Sequence, residues 1–368
     1  MNQSMITTRQ ATLWLTMYYI GSAVLIVPVM LASAAKQDAW MSAILALGLH
    51  FAIIPVFATL GHLSGSEGAG AFLSRLFGRW GGKLTLFVLL LTGPFPILIF
   101  NLRDLSDFTT TVVMQRTPME AISYMMLFAV VIGLYSGVRT VGRAAEALFP
   151  FVFFLIIVLL ISITPSLSFW RLFPFMENGI RPVISASIPL FGYPFMEVSV
   201  LWLICSRMKQ PGQFGQVLRR SAWMSGTVFL LLTVFVIMVA GAPITAQLSF
   251  PSYFISRTIS IGDFYERIEA IVTMIWYMTM FFRMALLLYV SSEGTAALLS
   301  LKDGRPLHIP LALIALPLSL HAWPNPASIM EYDRNWPFFR LAFGVLLPLL
   351  ILWAAVAKRK TGTRSTAR

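Results

Sequence analysis

A chain of 368 residues with 58% hydrophobic residues, 11% charged residues and a mean hydropathy of +0.79 departs far from soluble domains, which run near 45–50% and about 25%. This excludes most soluble classes and points to a bilayer as the solvent. The formal charge of +12, from 27 Lys and Arg against 15 Asp and Glu, suits either a nucleic-acid partner or membrane topology, and the positions of the cations decide between them.

A helix needs about 20 apolar residues to cross about 30 Å of hydrocarbon. Charge-free runs of that order lie at 11–35, 39–66, 84–102, 121–138, 147–170, 221–256, 306–330 and 341–357. Stretches at about 182–206 and 270–292 qualify apart from one charge each, Glu197 and Arg283. The expectation is an all-α polytopic membrane protein with ten transmembrane helices, because runs this long without strand-like alternation do not make a barrel. Threaded up and down from a cytoplasmic N-terminus, 17 of the cations fall on the cytoplasmic side and 9 opposite, and Arg283 completes the 27. The positive-inside rule then places both termini in the cytoplasm. The net charge is mostly topology, and no nucleic-acid partner is expected. Ala32-Ser33-Ala34 resembles a signal-peptide cleavage site, but the apolar run before it is too long for a signal core, and its loss would make the span number odd.

Within that frame, helix-breaking residues recur in spans 1 and 6. Span 1 contains Gly21-Ser22-Ala23-Val24 followed by Pro28, and span 6 contains Pro189, Gly192 and Pro194. Inverted-repeat transporters bind substrate at the midplane, between discontinuous helices in matching positions of two halves. The expected site pairs free amides near Ser22, Ala23 and Val24 with a carboxylate, and carbonyls around Phe191 with an ammonium. Gly21, Gly192, Phe95, Tyr193 and Phe195 complete the expected ligand-binding set, whose aromatic lining favours a small apolar amino acid. The opposing reading is that such residues only kink helices or let them pack closely. Gly93-Pro94-Phe95-Pro96 in span 3 is a further interruption, either a kink or a helix start.

Particular motifs resemble a known family. Ile6-Thr7-Thr8-Arg9-Gln10, the Ile20–Leu25 break with Pro28, the Gln37-Asp38-Ala39-Trp40 turn, Phe250-Pro251-Ser252-Tyr253 and Ile261-Gly262-Asp263-Phe264-Tyr265-Glu266-Arg267-Ile268-Glu269 are similar to the spore germination receptor B subunits, a branch of the amino acid–polyamine–organocation superfamily. The last motif is the most specific, and the similarity spans essentially the whole chain. The resemblance implies a LeuT-like fold of 5+5 inverted repeats, the first over about 6–165 and the second over about 180–357, in one transmembrane domain (1–368) with a short basic cytoplasmic tail at 358–368. It implies a nutrient-sensing subunit of the spore inner membrane that acts with an A-type membrane subunit and a C-type lipoprotein subunit. The alternative is a proton-coupled amino acid permease.

A charge at a helix centre costs roughly 2.5–3.5 kcal/mol on insertion scales, so Glu197 and Arg283 are candidate functional groups. Glu197 either binds the ligand ammonium or takes up a coupling proton, or it is a network carboxylate that fixes the broken helix. Arg283, whose guanidinium keeps its charge, either holds span 1 to span 8 as a tethered cation in place of sodium or forms a buried structural pair with Glu197. His50, His62, His308 and His321 have no metal-ligand spacing, no nucleophile sits with a base, and neither a cofactor, a metal nor enzyme activity is expected. Arg75, Arg79 and Lys83, at spacing four, predict an interfacial amphipathic helix over Phe72–Lys83. The long external loop from Pro243 to Asp263 is a lid, a docking surface or an inert cap.

Overall fold

A computed structural model describes residues 5–258, 268–323 and 335–365. Of the expected loop motif, residues 261–267 lie outside that set, as do residues 324–330 of the run at 306–330. The described chain is a bundle of helices, since backbone polar groups in hydrocarbon must be satisfied within each segment. In chain order the helices are α1 (Thr8–Ala23), α2 (Val27–Ala35), α3 (Ala39–Ser64), α4 (Gly68–Thr92), α5 (Pro94–Phe108), α6 (Met119–Tyr135), α7 (Val138–Ile163), α8 (Ile180–Gly192), α9 (Val198–Trp202), α10 (Phe214–Ala240), α11 (Ala242–Thr245), α12 (Pro251–Thr258), α13 (Glu269–Leu299), α14 (His308–Leu320), α15 (335–340) and α16 (Leu347–Ser365). They make up the ten expected spans. Spans 1, 3 and 6 are each divided, as α1/α2, α4/α5 and α8/α9; span 10 runs from α15 into α16 through a π-helical stretch, Leu341–Leu346, and α3, α6, α7, α10, α13 and α14 supply spans 2, 4, 5, 7, 8 and 9.

Local chemistry sets several helix ends. Thr7 caps α1 reciprocally with Gln10: the Gln10 amide donates to Thr7 Oγ1 at 3.2 Å and the Thr7 amide donates to Gln10 Oε1 at 3.0 Å, satisfying two amides that the first turn leaves free. Gly241, at φ 78°, ends α10, so the apolar run 221–256 is one span followed by the loop helices α11 and α12. Gly78 interrupts α4 at φ 78° and ψ 172°. The expected amphipathic helix over Phe72–Lys83 is therefore two pieces, and Arg75, Arg79 and Lys83 share no continuous face. Arg75 pairs with Glu67 at 2.5 Å, whereas Lys83 Nζ donates to Leu298 O at 2.6 Å.

Span 1 occupies the middle of the bundle, with α1 packed on α10, α13 and α7 and nearly all its residues buried. Apolar burial gives little drive between helices in lipid, so close backbone approach and hydrogen bonds carry the association. A Cβ on Gly21 would lie 2.8 Å from the backbone carbonyl of Thr279 on α13, so only glycine permits this crossing. At one end of the bundle, the amide of Ile6 donates to Arg207 O and Lys209 N donates to Ile6 O, both at 2.9 Å. Arg9 pairs with Glu146 at 3.1 Å, Arg207 with Glu293 at 2.5 Å, and Lys358 Nζ donates to Arg75 O at 3.0 Å. Both described chain ends therefore meet on the face where most cations gather. At the other end, Asp38 accepts the Met176 amide at 3.0 Å and Gln37 Nε2 donates to Pro174 O at 2.9 Å. The Gln37–Trp40 turn thus anchors the segment leading into span 6.

Candidate functional site

The two breaks lie side by side, and their positions follow from helix geometry. α1 runs on through Ala23, the Val24 amide donates to Ile20 O at 3.1 Å, and the turn falls at Val24–Ile26 before α2 starts with Pro28 in its first turn. The amides of Ser22, Ala23 and Val24, expected to be free, are thus part of helix α1 or its last turn. The break sits a few residues later because proline is favoured in the first turn of a new helix, where its missing N–H is no loss. In span 6, α8 ends at Gly192, Tyr193 is extended, and a short 3₁₀ turn over Phe195–Glu197 leads into α9. A Cβ on Gly192 would sit 2.8 Å from Pro337 Cα, so this glycine, like Gly21, serves a close helix contact.

The carbonyl end of α1 is capped by side chains from other helices. Trp276 Nε1 of α13 donates to Gly21 O at 3.0 Å, and Ser252 Oγ of α12 donates to Val24 O at 2.9 Å. Ser22 Oγ donates back to Tyr19 O at 2.7 Å. The loop helix α12 therefore lies over the break in span 1. Phe108 holds it there, with ring centroids 4.9 Å from Phe250, 5.5 Å from Tyr253 and 4.7 Å from Trp276. Within α12, Ser252, Ile255 and Ser256 are buried. Burial raises the Tyr253 phenol above its ordinary range.

Below the breaks the two intramembrane charges meet. Arg283 Nη2 donates to Glu197 Oε1 at 3.0 Å and to Oε2 at 2.9 Å, a charge-assisted pair in which both side chains have no exposed surface. Tyr18 Oη donates to Glu197 Oε2 at 2.7 Å, Arg283 Nε donates to Asn101 Oδ1 at 2.7 Å, and Arg283 Nη1 donates to Tyr18 O at 3.2 Å. The guanidinium also lies 4.3 Å from the Tyr18 ring centroid, within cation–π range. One node thus joins spans 1, 3, 6 and 8. Its charges cancel, and each carboxylate oxygen of Glu197 is engaged.

The expected aromatic set divides. Phe191 is buried at the end of α8. Tyr193 and Phe95 are half-buried. Tyr193 Oη donates to Asp104 at 3.3 Å, and its ring lies 6.2 Å from that of Trp336. Phe195 turns away from this group, stacks on His50 at 4.6 Å and contacts Tyr19 and Phe229. Sequence reasoning overlooked Tyr18, Asn101, Trp276 and Ser252, polar groups within or beside apolar stretches that carry no charge to mark them.

Arg340, one of the nine cations that the up-and-down threading assigns to the side opposite the cytoplasm, has no exposed surface. Arg340 Nη1 donates to Thr92 O at 2.7 Å, just before the Gly93 interruption of span 3. Nη2 donates to Met196 O and Ser199 Oγ, both at 3.2 Å, at the span 6 break. The Gly93-Pro94 interruption is a helix start, since α5 begins at Pro94 after a non-helical Gly93. The only sequence signal for Arg340 was its position at the head of an apolar run, which reads equally as an interfacial cation.

Among the described residues no group of His, Cys, Asp or Glu could hold a metal ion. A solved structure shares the plan of this bundle. The complex of MhsT with L-phenylalanine superimposes with a TM-score of 0.65 over 95% of this chain and 89% of that one, at 14% identity. The fold is thus LeuT-like, with broken helices 1 and 6. Spore germination protein KB of Bacillus subtilis (strain 168) is 24% identical over 370 residues, covering 99% of this chain and 98% of that protein. Spore germination protein XB of Bacillus anthracis is 23% identical over 270 residues, covering 73% of this chain and 74% of that one. The family described as spore germination protein (spore permease) matches residues 5–326. Its helical bundle, its paired breaks and this family match describe a multi-pass, receptor- or permease-like membrane protein, and the chain belongs to the spore germination protein family.

Proposed function

We propose that this protein is the B subunit of a nutrient germinant receptor, binding a small apolar amino acid between the breaks of spans 1 and 6 and passing closure of that site to an A-type membrane subunit and a C-type lipoprotein. The observation that carries this reading is the pair of adjacent helix breaks, roofed by α12 and tied beneath by the Glu197–Arg283 node. The ligand carboxylate is assigned to the start of α2 around Val27, where a helix N-terminus favours anions. The ammonium is assigned to the carbonyl end of α8 around Phe191 and Gly192, with Phe95 and Tyr193 lining the side chain. MhsT holds L-phenylalanine in a related fold, which supports an amino acid as the ligand class. Arg283 serves as a tethered cation between α1 and α13, so the response should not need sodium. The cation-rich face is the cytoplasmic one, in the inner membrane of the spore.

A second reading, a proton-coupled amino acid permease, rests on the same breaks, because alternating access and ligand sensing use the same discontinuous helices. Vesicles containing this protein alone separate the two. Radiolabelled L-alanine, L-valine and L-phenylalanine should bind saturably, without sodium, and without accumulating inside. Accumulation driven by a proton gradient would sink the receptor-only reading. Absence of binding by any of the three would sink the apolar amino-acid site.

A further inference from the structure

The face where the chain ends meet contains an open cleft of about 670 Å³, within the usual size range of small-molecule sites. Four chain segments converge on it: the turn between α6 and α7, the chain just past α9, the last turns of α13, and the approach to α14. Each brings cations or carboxylates. Arg139, Arg143, Arg207, Lys302 and Arg305 face Glu293 and Asp303, five cations against two carboxylates, an excess of three. Arg207 is held by Glu293 at 2.5 Å, and Arg305 lies 3.7 Å from Asp303. For Arg139, Arg143 and Lys302, no carboxylate of the described residues lies within ion-pair distance.

The positive-inside rule accounts for cations on this face. It does not by itself bring five cations from four segments to the rim of one concavity, where their like charges repel. Gly137, at φ 96°, precedes α7, and a Cβ there would lie 3.9 Å from the Arg305 guanidinium, which places the α6–α7 turn beside the approach to α14. Inside the cleft, His308 Nδ1 is hydrogen-bonded to Ser292 Oγ at 2.9 Å, which fixes one wall. Arginine forks match phosphate oxygens two at a time, and lysine adds a point charge.

We propose that this cleft is a second binding site, separate from the amino-acid site and independent of the reading given for it, and that its ligand is a phosphate-bearing anion. An excess of three positive charges suits a diphosphate or a phosphomonoester, the latter carrying about −1.5 to −2 near neutral pH. A volume of this size admits a small molecule or a lipid headgroup. Bound there, the anion joins Arg207, below the broken span 6, to Arg139 and Lys302 on the turns beside spans 4, 5 and 9, and so stiffens that end of the bundle.

The test uses the full chain in phosphatidylcholine nanodiscs, titrated calorimetrically with inorganic pyrophosphate, and the same protein purified with phosphatidylglycerol and weighed by native mass spectrometry. Arg139→Gln with Lys302→Gln removes two cations without breaking an ion pair. Arg116→Gln with Arg181→Gln, at the opposite end, controls for net charge. Saturable pyrophosphate binding that weakens about tenfold in the first variant and not in the control supports a soluble ligand. Retention of phosphatidylglycerol that is lost in the first variant alone, with pyrophosphate bound only in its absence, supports a headgroup. Binding of neither, or equal weakening in both variants, overturns the proposal. Lys302→Gln alone, an exposed position, should give a partial loss and keeps the test open if the double variant folds poorly.

Discussion

Arg283→Gln isolates the contribution of the intramembrane node. Arg283 Nη2 lies 2.9 Å from Glu197 Oε2, and unit charges in such contact attract by about 4 kcal/mol at the effective dielectric that best reproduces measured behaviour in proteins. Desolvating each ion opposes this by several kcal/mol, so the intact pair is near neutral for stability. Removing one member is not neutral. Glutamine gives up the bidentate contact to Glu197 and cannot reach Asn101 Oδ1 and Tyr18 O in the same way, leaving Glu197 with Tyr18 Oη alone. The expected loss is roughly 3–5 kcal/mol, read as a lower midpoint of equilibrium unfolding in mixed micelles. The double replacement Glu197→Met with Arg283→Met, which removes both charges of the pair together, should recover most of that loss. A single variant within about 1 kcal/mol of the parent, or a double variant no more stable than the single, would refute the coupling of these two groups.

Other perturbations probe the surrounding contacts. Gly21→Val places a side chain against the Thr279 backbone, which sits 2.8 Å from even a Cβ; a loss of about 1–3 kcal/mol is expected, and an unchanged unfolding midpoint would show that α1 and α13 can separate freely. Arg340→Met removes donors to Thr92 O, Met196 O and Ser199 Oγ and should cost about 2–4 kcal/mol, with faster hydrogen exchange near both the span 3 and span 6 breaks; exchange altered at only one break would assign Arg340 to that helix alone. Ser252→Ala frees the Val24 carbonyl, so about 1 kcal/mol is expected to be lost and α12 to exchange faster while the rest of the bundle does not. Uniform acceleration across all spans would show that α12 does not open separately from the bundle.

Much of the fold was legible from sequence because the bilayer imposes a simple length rule on each span. Residues 39–66 or 147–170 can hardly do anything but cross, and Pro28, Gly192 and Pro194 mark chain that cannot continue as regular helix. Where the rule is silent, sequence reasoning slipped. The run 221–256 continued past its true helix end because the covering loop is itself apolar. Arg75, Arg79 and Lys83 looked like one face until Gly78 divided them.

The site was less legible, since the same residue type serves opposite ends. Gly21 and Gly192, expected at the ligand, each also sit where a Cβ would meet a neighbouring helix, and Phe195 stacks on His50; neither contact is visible in the sequence. Sequence alone determined that the protein is a ten-span membrane bundle with interruptions in spans 1 and 6, because hydrophobic length and proline geometry are local properties. Tertiary structure alone decided that Glu197 and Arg283 neutralise each other, that Arg340 is interior, that α12 caps span 1, and that five cations share one cleft. Those facts depend on which helices face one another across the bundle, a relation between residues up to hundreds apart in sequence that no local pattern records.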